Sequence, residues 1–192
     1  MHAAMSEIVY QLRISLNLSE PEIWRRFLVT GKTSLDELHD MIQIVMGWGN
    51  QHLYQFIIGE RFYGDSELGT SGQRSDSSIV TLGDLIKRPK THFIYEYDFG
   101  DGWEHDILVE KIRPRPQFEA EFLPICLEGK GACPVEDCGG IFGYYEILDA
   151  LKAPEHPQHA EMEEIWGELG SDLDPEHFDL KWVNDNLREL VS

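Results

Sequence analysis

A chain of 192 residues with 42% hydrophobic and 11% aromatic residues can bury a substantial core in one domain and does not have the composition of a disordered polymer. Its 35 acidic against 16 basic residues give a formal net charge of −19, a field that repels phosphate backbones and speaks against general nucleic-acid binding. It holds no run of about 18 apolar residues to span a bilayer, and three cysteines in a chain that reads as cytosolic are expected as thiols or ligands rather than as a disulfide framework.

The opening "MHAAMSEIVYQL" has neither the basic region nor the apolar core of a secretory signal, so a cytoplasmic protein is expected. Ile8 to Leu18 alternates, with Ile8, Tyr10, Leu12, Ile14, Leu16 and Leu18 on one face, which predicts a strand. "SEPE" supplies a turn and "IWRRFLV" a second strand; the one dense basic run, Trp24-Arg25-Arg26, falls inside it. Ser34 followed by Glu37 forms a capping box. Leu35, Leu38, Ile42, Val45 and Met46 then recur at helical spacing until Gly47 and Gly49.

"HLYQFIIG" and "ERFYG" read as a hairpin, and residues 64–78 as a polar loop without periodicity. A short helical turn at "TLGDLI" precedes paired strands over 92–99 and 103–112. Two strands, a crossing helix and further strands predict an α+β core over residues 1–113, β-grasp-like with a curved mixed sheet. Beyond Pro114 and Pro116 the composition changes. A Cys/Gly segment, 126–140, leads to helices near 142–152, 157–168 and 180–190, so 114–192 is expected as a helical part packed on that core within a single domain overall.

The stretch "YEYDFGDGWEHDI" surrounds two glycines with acids and aromatics and holds no lysine or arginine. Asp101-Gly102 as a two-residue turn pairs Asp98 with His105; Gly100-Asp101 as the turn pairs Glu96 with His105. In both registers an acid faces His105 on the face that carries Trp103, Ile107 and Val109, with Tyr97 and Phe99 opposite. Such an acid raises the imidazole pKa or fixes its tautomer. It is also what orients a metal-ligating histidine, while a simple cross-strand polar pair is the competing reading.

"CLEGKGACPVEDCGG" brings Cys126, Cys133 and Cys138 within one short segment. Three thiolates and a histidine make a tetrahedral zinc site, with His105 the first choice for fourth ligand and His52 the second. The spacings are not those of a short CxxC knuckle, so a rigid loop with buried thiols stands beside that reading. A nucleophilic Cys138 with His105 as base is the third, and Glu136 and Asp137 oppose it because negative charge raises a thiol pKa. His39 sits at the edge of the helical apolar stripe, and His52 opens a strand after "GWGNQ". Trp24, Trp48 and Trp103 are core or pocket aromatics. The acids of "EMEEIWGELGSDLD" read as a solvated face without the spacing of a calcium loop.

The blocks "YQLRISL", "PEIWRRFLV", "SLDELHDMIQIVMGWGNQHLYQF", "YEYDFGDGWEHDI", "CLEGKGACPVEDCGG", "GYYEILDAL" and "FDLKWVNDNL" together resemble the plasmid pRiA4b ORF-3-like family over nearly the whole chain. The resemblance implies an α+β protein of bacteria, archaea and mobile elements, without an established activity. Some relatives are labelled transposon passenger proteins of resolvase type. The nucleophile and arginine cluster of a recombinase have no counterpart in these blocks. The family motifs fall on the candidate site residues: His105, Asp98 and Cys138 for catalysis; His39, His52, Asp101, Trp103, Glu136 and Asp137 for binding; Cys126, Cys133, Cys138 and His105 for zinc. The expected function is a cytoplasmic binding or interaction module with a protein or small-molecule partner, its site lying where the hairpin end meets the cysteine loop. A metal-assisted or thiol-dependent enzyme using the same residues is the alternative, and a DNA-recombination accessory the third.

Overall fold

Period-two alternation builds most of the sheet. In the computed structural model, which describes residues 7–65, 72–115, 122–162, 164 and 174–191, strands β1 (Ile8–Leu16), β2 (Trp24–Thr30), β3 (Tyr54–Ile58), β4 (Arg61–Gly64), β5 (Arg74–Asp76), β6 (His92–Tyr97), β7 (Trp103–Pro114) and β8 (Ile125–Lys130) form one eight-stranded sheet. Its order is β5-β4-β3-β6-β7-β1-β2-β8, antiparallel throughout except for the edge pair β4–β5. The helices are α1 (Leu35–Met46), α2 (Leu82–Leu85), α3 (Gly140–Lys152) and α4 (Leu180–Leu190). The α+β class stands. A β-grasp is not established by this sheet, which is larger and whose one parallel pair lies at its edge. None of the described helices is long and apolar enough to cross a membrane.

Helix α1 starts and stops where its residues dictate. Ser34 and Glu37 close the reciprocal capping box, and Gly47 takes the left-handed conformation at φ 105° that ends it. Its buried Leu35, Leu38, Met41, Ile42, Val45 and Met46 share one core with Leu12, Ile14, Phe27, Tyr95, Tyr97, Trp103, Ile107 and Val109 of the sheet. The apolar stripe of β1 is shorter than the alternation suggests. Leu18 turns out of the strand at φ 63° and is 72% exposed, because β1 ends at Leu16.

Three other expectations change. Part of the loop expected over 64–78 is ordered as β5, followed by a 3-10 turn at Ser77–Ile79; its middle, 66–71, lies outside the described residues. Of the helix expected at 157–168, residues 159–162 and 164 are helical, while 163 and 165–168 also lie outside the described residues. The Cys/Gly segment begins not as a loop but as β8, which pairs with β2. Asn184 of α4 satisfies the outer edge of β8: its Oδ1 accepts from Cys126 N at 2.8 Å and its Nδ2 donates to Cys126 O at 2.9 Å.

The basic run within β2 is consumed by the fold. Arg25 is 1% exposed, and its guanidinium donates to the carbonyls of Val45 (2.7 Å), Trp24 (2.9 Å), Lys130 (2.8 Å) and Gly131 (2.8 Å). It thereby joins the last turn of α1 to β2 and β8. Arg26 points to the other face, where Glu110 takes its Nε at 2.6 Å and Nη2 at 2.8 Å, and Glu128 takes its Nη1. Both guanidiniums have internal partners.

Candidate functional site

The β6–β7 hairpin does not use a two-residue turn. Its register pairs Tyr95 with His105, Glu96 with Glu104 and Tyr97 with Trp103, leaving a loop over 98–102. Asp98 opens the loop at φ 53° with its Oδ1 accepting Gly100 N at 2.9 Å, and Gly102 closes it at φ 68°. An odd shift of register exchanges the faces. Consequently no acid lies opposite His105, and Tyr97 packs on the buried face beside Trp103.

His105 is fully buried. Its Nδ1 donates to Tyr95 O at 3.3 Å, and Trp48 meets its ring edge-on at 5.2 Å between centroids. Burial pushes its pKa down to about 3, so the imidazole is neutral and Nε2 carries the lone pair; that atom has no hydrogen-bond partner. Trp103 is core, packed on Trp48 at 5.6 Å.

The expected zinc set does not converge. His105 lies on β7 and Cys126 on β8, with β1 and β2 between them, a separation of about 14 Å at the usual strand spacing. Cys126 Sγ instead lies near the carbonyls of Arg26 (3.5 Å) and Glu128 (3.6 Å), and Cys138 Sγ near Gly140 O (3.7 Å). Burial drives the Cys126 and Cys138 thiols up to about 12 and Cys133 higher still. Protonated thiols are the opposite of what a nucleophilic cysteine requires.

The hairpin end and the cysteine loop nevertheless meet, through carboxylates. Asp101 Oδ2 accepts Cys138 N at 3.1 Å, and Asp101 Oδ1 accepts Gly139 N at 3.2 Å. Gly140, at φ 72°, is required here because a Cβ would come within 2.4 Å of Asp101 O. Glu136 is held from both sides: Tyr97 OH donates to Oε1 at 2.6 Å and Gly49 N to Oε2 at 2.8 Å. Trp48 Nε1 donates to Pro134 O at 3.0 Å.

Beside these contacts, three ligand-type side chains come together from three separate loops. His52 Nε2 lies 3.2 Å from Asp137 Oδ1 and 3.7 Å from Asp98 Oδ2. Among the described residues, His52, Asp98 and Asp137 are the one group of three whose ligand atoms all lie within 4.8 Å of one another. His52 Nε2 is buried yet has hydrogen-bond geometry to neither carboxylate. Asp98 and Asp137 are both left-handed, at φ 53° and 57°, backbone strain of the kind that clusters at functional positions.

His39 supports this corner from below. It stacks on Tyr54 at 3.5 Å and touches Tyr95 OH through Nδ1 (2.7 Å) and Asn50 Oδ1 through Nε2 (2.7 Å). Asn50 Nδ2 donates to Asp40 Oδ1 at 3.1 Å, so its Oδ1 accepts and His39 carries its proton on Nε2. Burial lowers the His39 pKa to about 4. Gln43 completes the network, donating to Tyr95 OH at 2.9 Å and accepting from Asn50 N at 3.0 Å. Asn50, Gln43, Tyr95 and Tyr97 were not singled out from sequence. A glutamine on the buried side of α1 was the one visible signal. A cleft of about 540 Å³ opens over this network, lined by Asp36, Asp40, Asp65, His39, His52 and Tyr54 among others and, among the described residues, by no lysine or arginine.

The sequence matches the family described as plasmid pRiA4b ORF-3-like protein across residues 8–182. The chain belongs to that family. Among its pRiA4b ORF-3-like relatives, an uncharacterised protein, y4hQ, of Sinorhizobium fredii (strain NBRC 101917 / NGR234) is 37% identical over 186 residues, 96% of this chain and 93% of its own. The crystal structure of a protein of unknown function, MM3350 from Methanosarcina mazei Go1, is similar with a TM-score of 0.79 at 35% identity, covering 92% of this chain and 98% of that one. The His52–Asp98–Asp137 corner lies inside the span matched to the pRiA4b ORF-3-like family.

Proposed function

We propose that the chain is a cytoplasmic, plasmid- or mobile-element-associated binding module, and that its site holds a divalent cation between His52, Asp98 and Asp137. The observation that carries this reading is the buried His52 Nε2 at 3.2 and 3.7 Å from two carboxylate oxygens without hydrogen-bond alignment to either. Ligand atoms about 2.1 Å from a common metal lie roughly 3.0–3.4 Å apart, depending on geometry. The His52–Asp137 distance falls in that range, the His52–Asp98 distance is a few tenths of an ångström longer, and all three ligand atoms lie within 4.8 Å of one another. One imidazole and two carboxylates suit zinc or manganese, and the formal net charge of −19 favours cation approach.

Three protein ligands leave coordination positions for water or for a donor atom of a partner molecule. If the protein is an enzyme, a metal-assisted reaction belongs here rather than at the dispersed, protonated thiols. The acidic cleft beside the site suits a neutral or cationic partner and opposes DNA, which weakens the recombination-accessory reading.

Equilibrium dialysis of the purified, chelator-stripped chain against Mn²⁺ and Zn²⁺ tests the reading. One ion per chain is expected, and His52→Ala or Asp98→Ala should weaken binding by roughly 100-fold, the upper part of the range seen even for residues that only support a ligand. Wild-type protein that retains neither ion, or variants that bind as tightly as wild type, would overturn it.

A further inference from the structure

We propose that the segment from Cys133 to Gly140 is a latch whose docking completes the cation site, with Asp101 and Glu136 as positioning residues, so that cation occupancy and exposure of the Cys133 and Cys138 thiols are linked. This rests on the reading of His52, Asp98 and Asp137 as cation ligands.

The three ligands are not equally anchored. Asp98 and His52 belong to one framework, since Asp98 N donates to Leu53 O at 2.9 Å. Asp137 alone comes from the latch, and its side chain is 70% exposed. What holds it beside His52 is the docking of its neighbours. Glu136 is gripped by Tyr97 OH and Gly49 N, Pro134 O accepts from Trp48, and the consecutive amides of Cys138 and Gly139 converge on the Asp101 carboxylate. Gly140 lets the two backbones touch, since a Cβ would lie 2.4 Å from Asp101 O.

Both thiols lie on this segment. Cys133, at its start, sits beside Gly47 at the end of α1, and Cys138 carries one of the amides that Asp101 holds. Both are partly buried and pack against the core. Docking the latch and sheltering the sulfurs are therefore one event. A cation that binds only the docked state depletes the undocked state by a factor of 1 + [M]/Kd. A reagent that reaches the sulfurs through the undocked state must slow by the same factor, about 100-fold at a hundred times Kd. Cys126 lies in β8, is 2% exposed and stays outside the latch, so it reports global unfolding.

The test is alkylation of the folded full chain by iodoacetamide, in which sulfur displaces iodide and the thiol proton passes to buffer, read at each cysteine by peptide mass. Mn²⁺ is the probe because it prefers oxygen donors and leaves thiols free. In wild type, Mn²⁺ should slow Cys133 and Cys138 in proportion to its concentration above Kd, with no effect in His52→Ala. Without cation, Asp101→Ala should alkylate both at least tenfold faster while Cys126 stays protected, and should bind Mn²⁺ about tenfold more weakly. Asp101→Asn, which keeps one acceptor oxygen for the two amides, should restore part of both.

Mn²⁺ that binds wild type by dialysis without slowing either thiol would overturn the linkage and leave the cation site standing. Wild type that binds no Mn²⁺ would overturn this proposal through the reading it rests on. If Cys126 reacts as fast as the other two in Asp101→Ala, the variant has simply unfolded and the latch is rejected, unless Asp101→Asn separates the rates.

Discussion

Arg25→Met should lower folding stability by about 4 kcal/mol, within the range found when one side of a buried charged contact is removed. The substitution keeps much of the aliphatic stem but withdraws donors from the carbonyls of Val45, Trp24, Lys130 and Gly131 at once. Each buried carbonyl left unpaired costs roughly 1–3 kcal/mol, and the more peripheral ones recover part of this from water. The stacked contact with Phe178, at 4.2 Å from the guanidinium, is lost as well. Domains hold only about 5–15 kcal/mol in total, so the urea midpoint should fall by about a quarter or more. Arg25→Lys should recover little, because one ammonium cannot spread across four acceptors as the planar fork does. A midpoint for Arg25→Met close to wild type would show that these carbonyls find other partners.

Acidification from pH 7 to pH 5 should cost about 4 kcal/mol, and the cause is two neutral buried histidines. The folded pKa of His105 is about 3 and that of His39 about 4, against an ordinary 6.5. The unfolded chain takes up both protons below 6.5, whereas the folded one refuses them. Their contribution is therefore complete above pH 6.5 and is lost as pH falls toward the folded values. Each histidine supplies a slope of about 1.4 kcal/mol per pH unit within that window, hence about 2 kcal/mol apiece at pH 5. Asp40, whose pKa burial raises, works in the opposite sense. Glu22 and Glu110, lowered by Arg13 and Arg26 respectively, lose their contributions only at still lower pH. Urea unfolding at pH 7, 6 and 5 checks this. His105→Gln should be less stable at neutral pH but show about half the slope, and an unchanged slope would mean that another group controls the acid limb.

These two effects converge on the candidate site. His39, through Asn50, holds the loop that carries His52, while Arg25 binds the carbonyl of Gly131 just ahead of the cysteine loop. Protonating His39 breaks its acceptance from Tyr95 OH, so the acid that destabilises the chain also loosens the support of the candidate site.

Much of the frame was legible in one dimension. Alternation from Tyr10 to Leu16 marks a strand because successive side chains must face opposite ways, and Ser34, Glu37 and Gly47 bound α1 because they satisfy or release its terminal backbone groups. The quoted blocks likewise pointed to the family, and the acid-rich hairpin contributes one residue, Asp98, to the candidate site. Tertiary structure alone decided which residues meet there. The hairpin register turned on the left-handed Asp98 and its bond to Gly100, and that moved Tyr95, not an acid, opposite His105. The last strand, β8, belongs to the sheet only through β2, so Cys126 went to an edge far from the imidazole chosen to join it. His52, Asp98 and Asp137 lie on three loops with no common period. Periodicity reports the face a side chain takes within its own element, whereas the distance between loops is set by how whole elements pack.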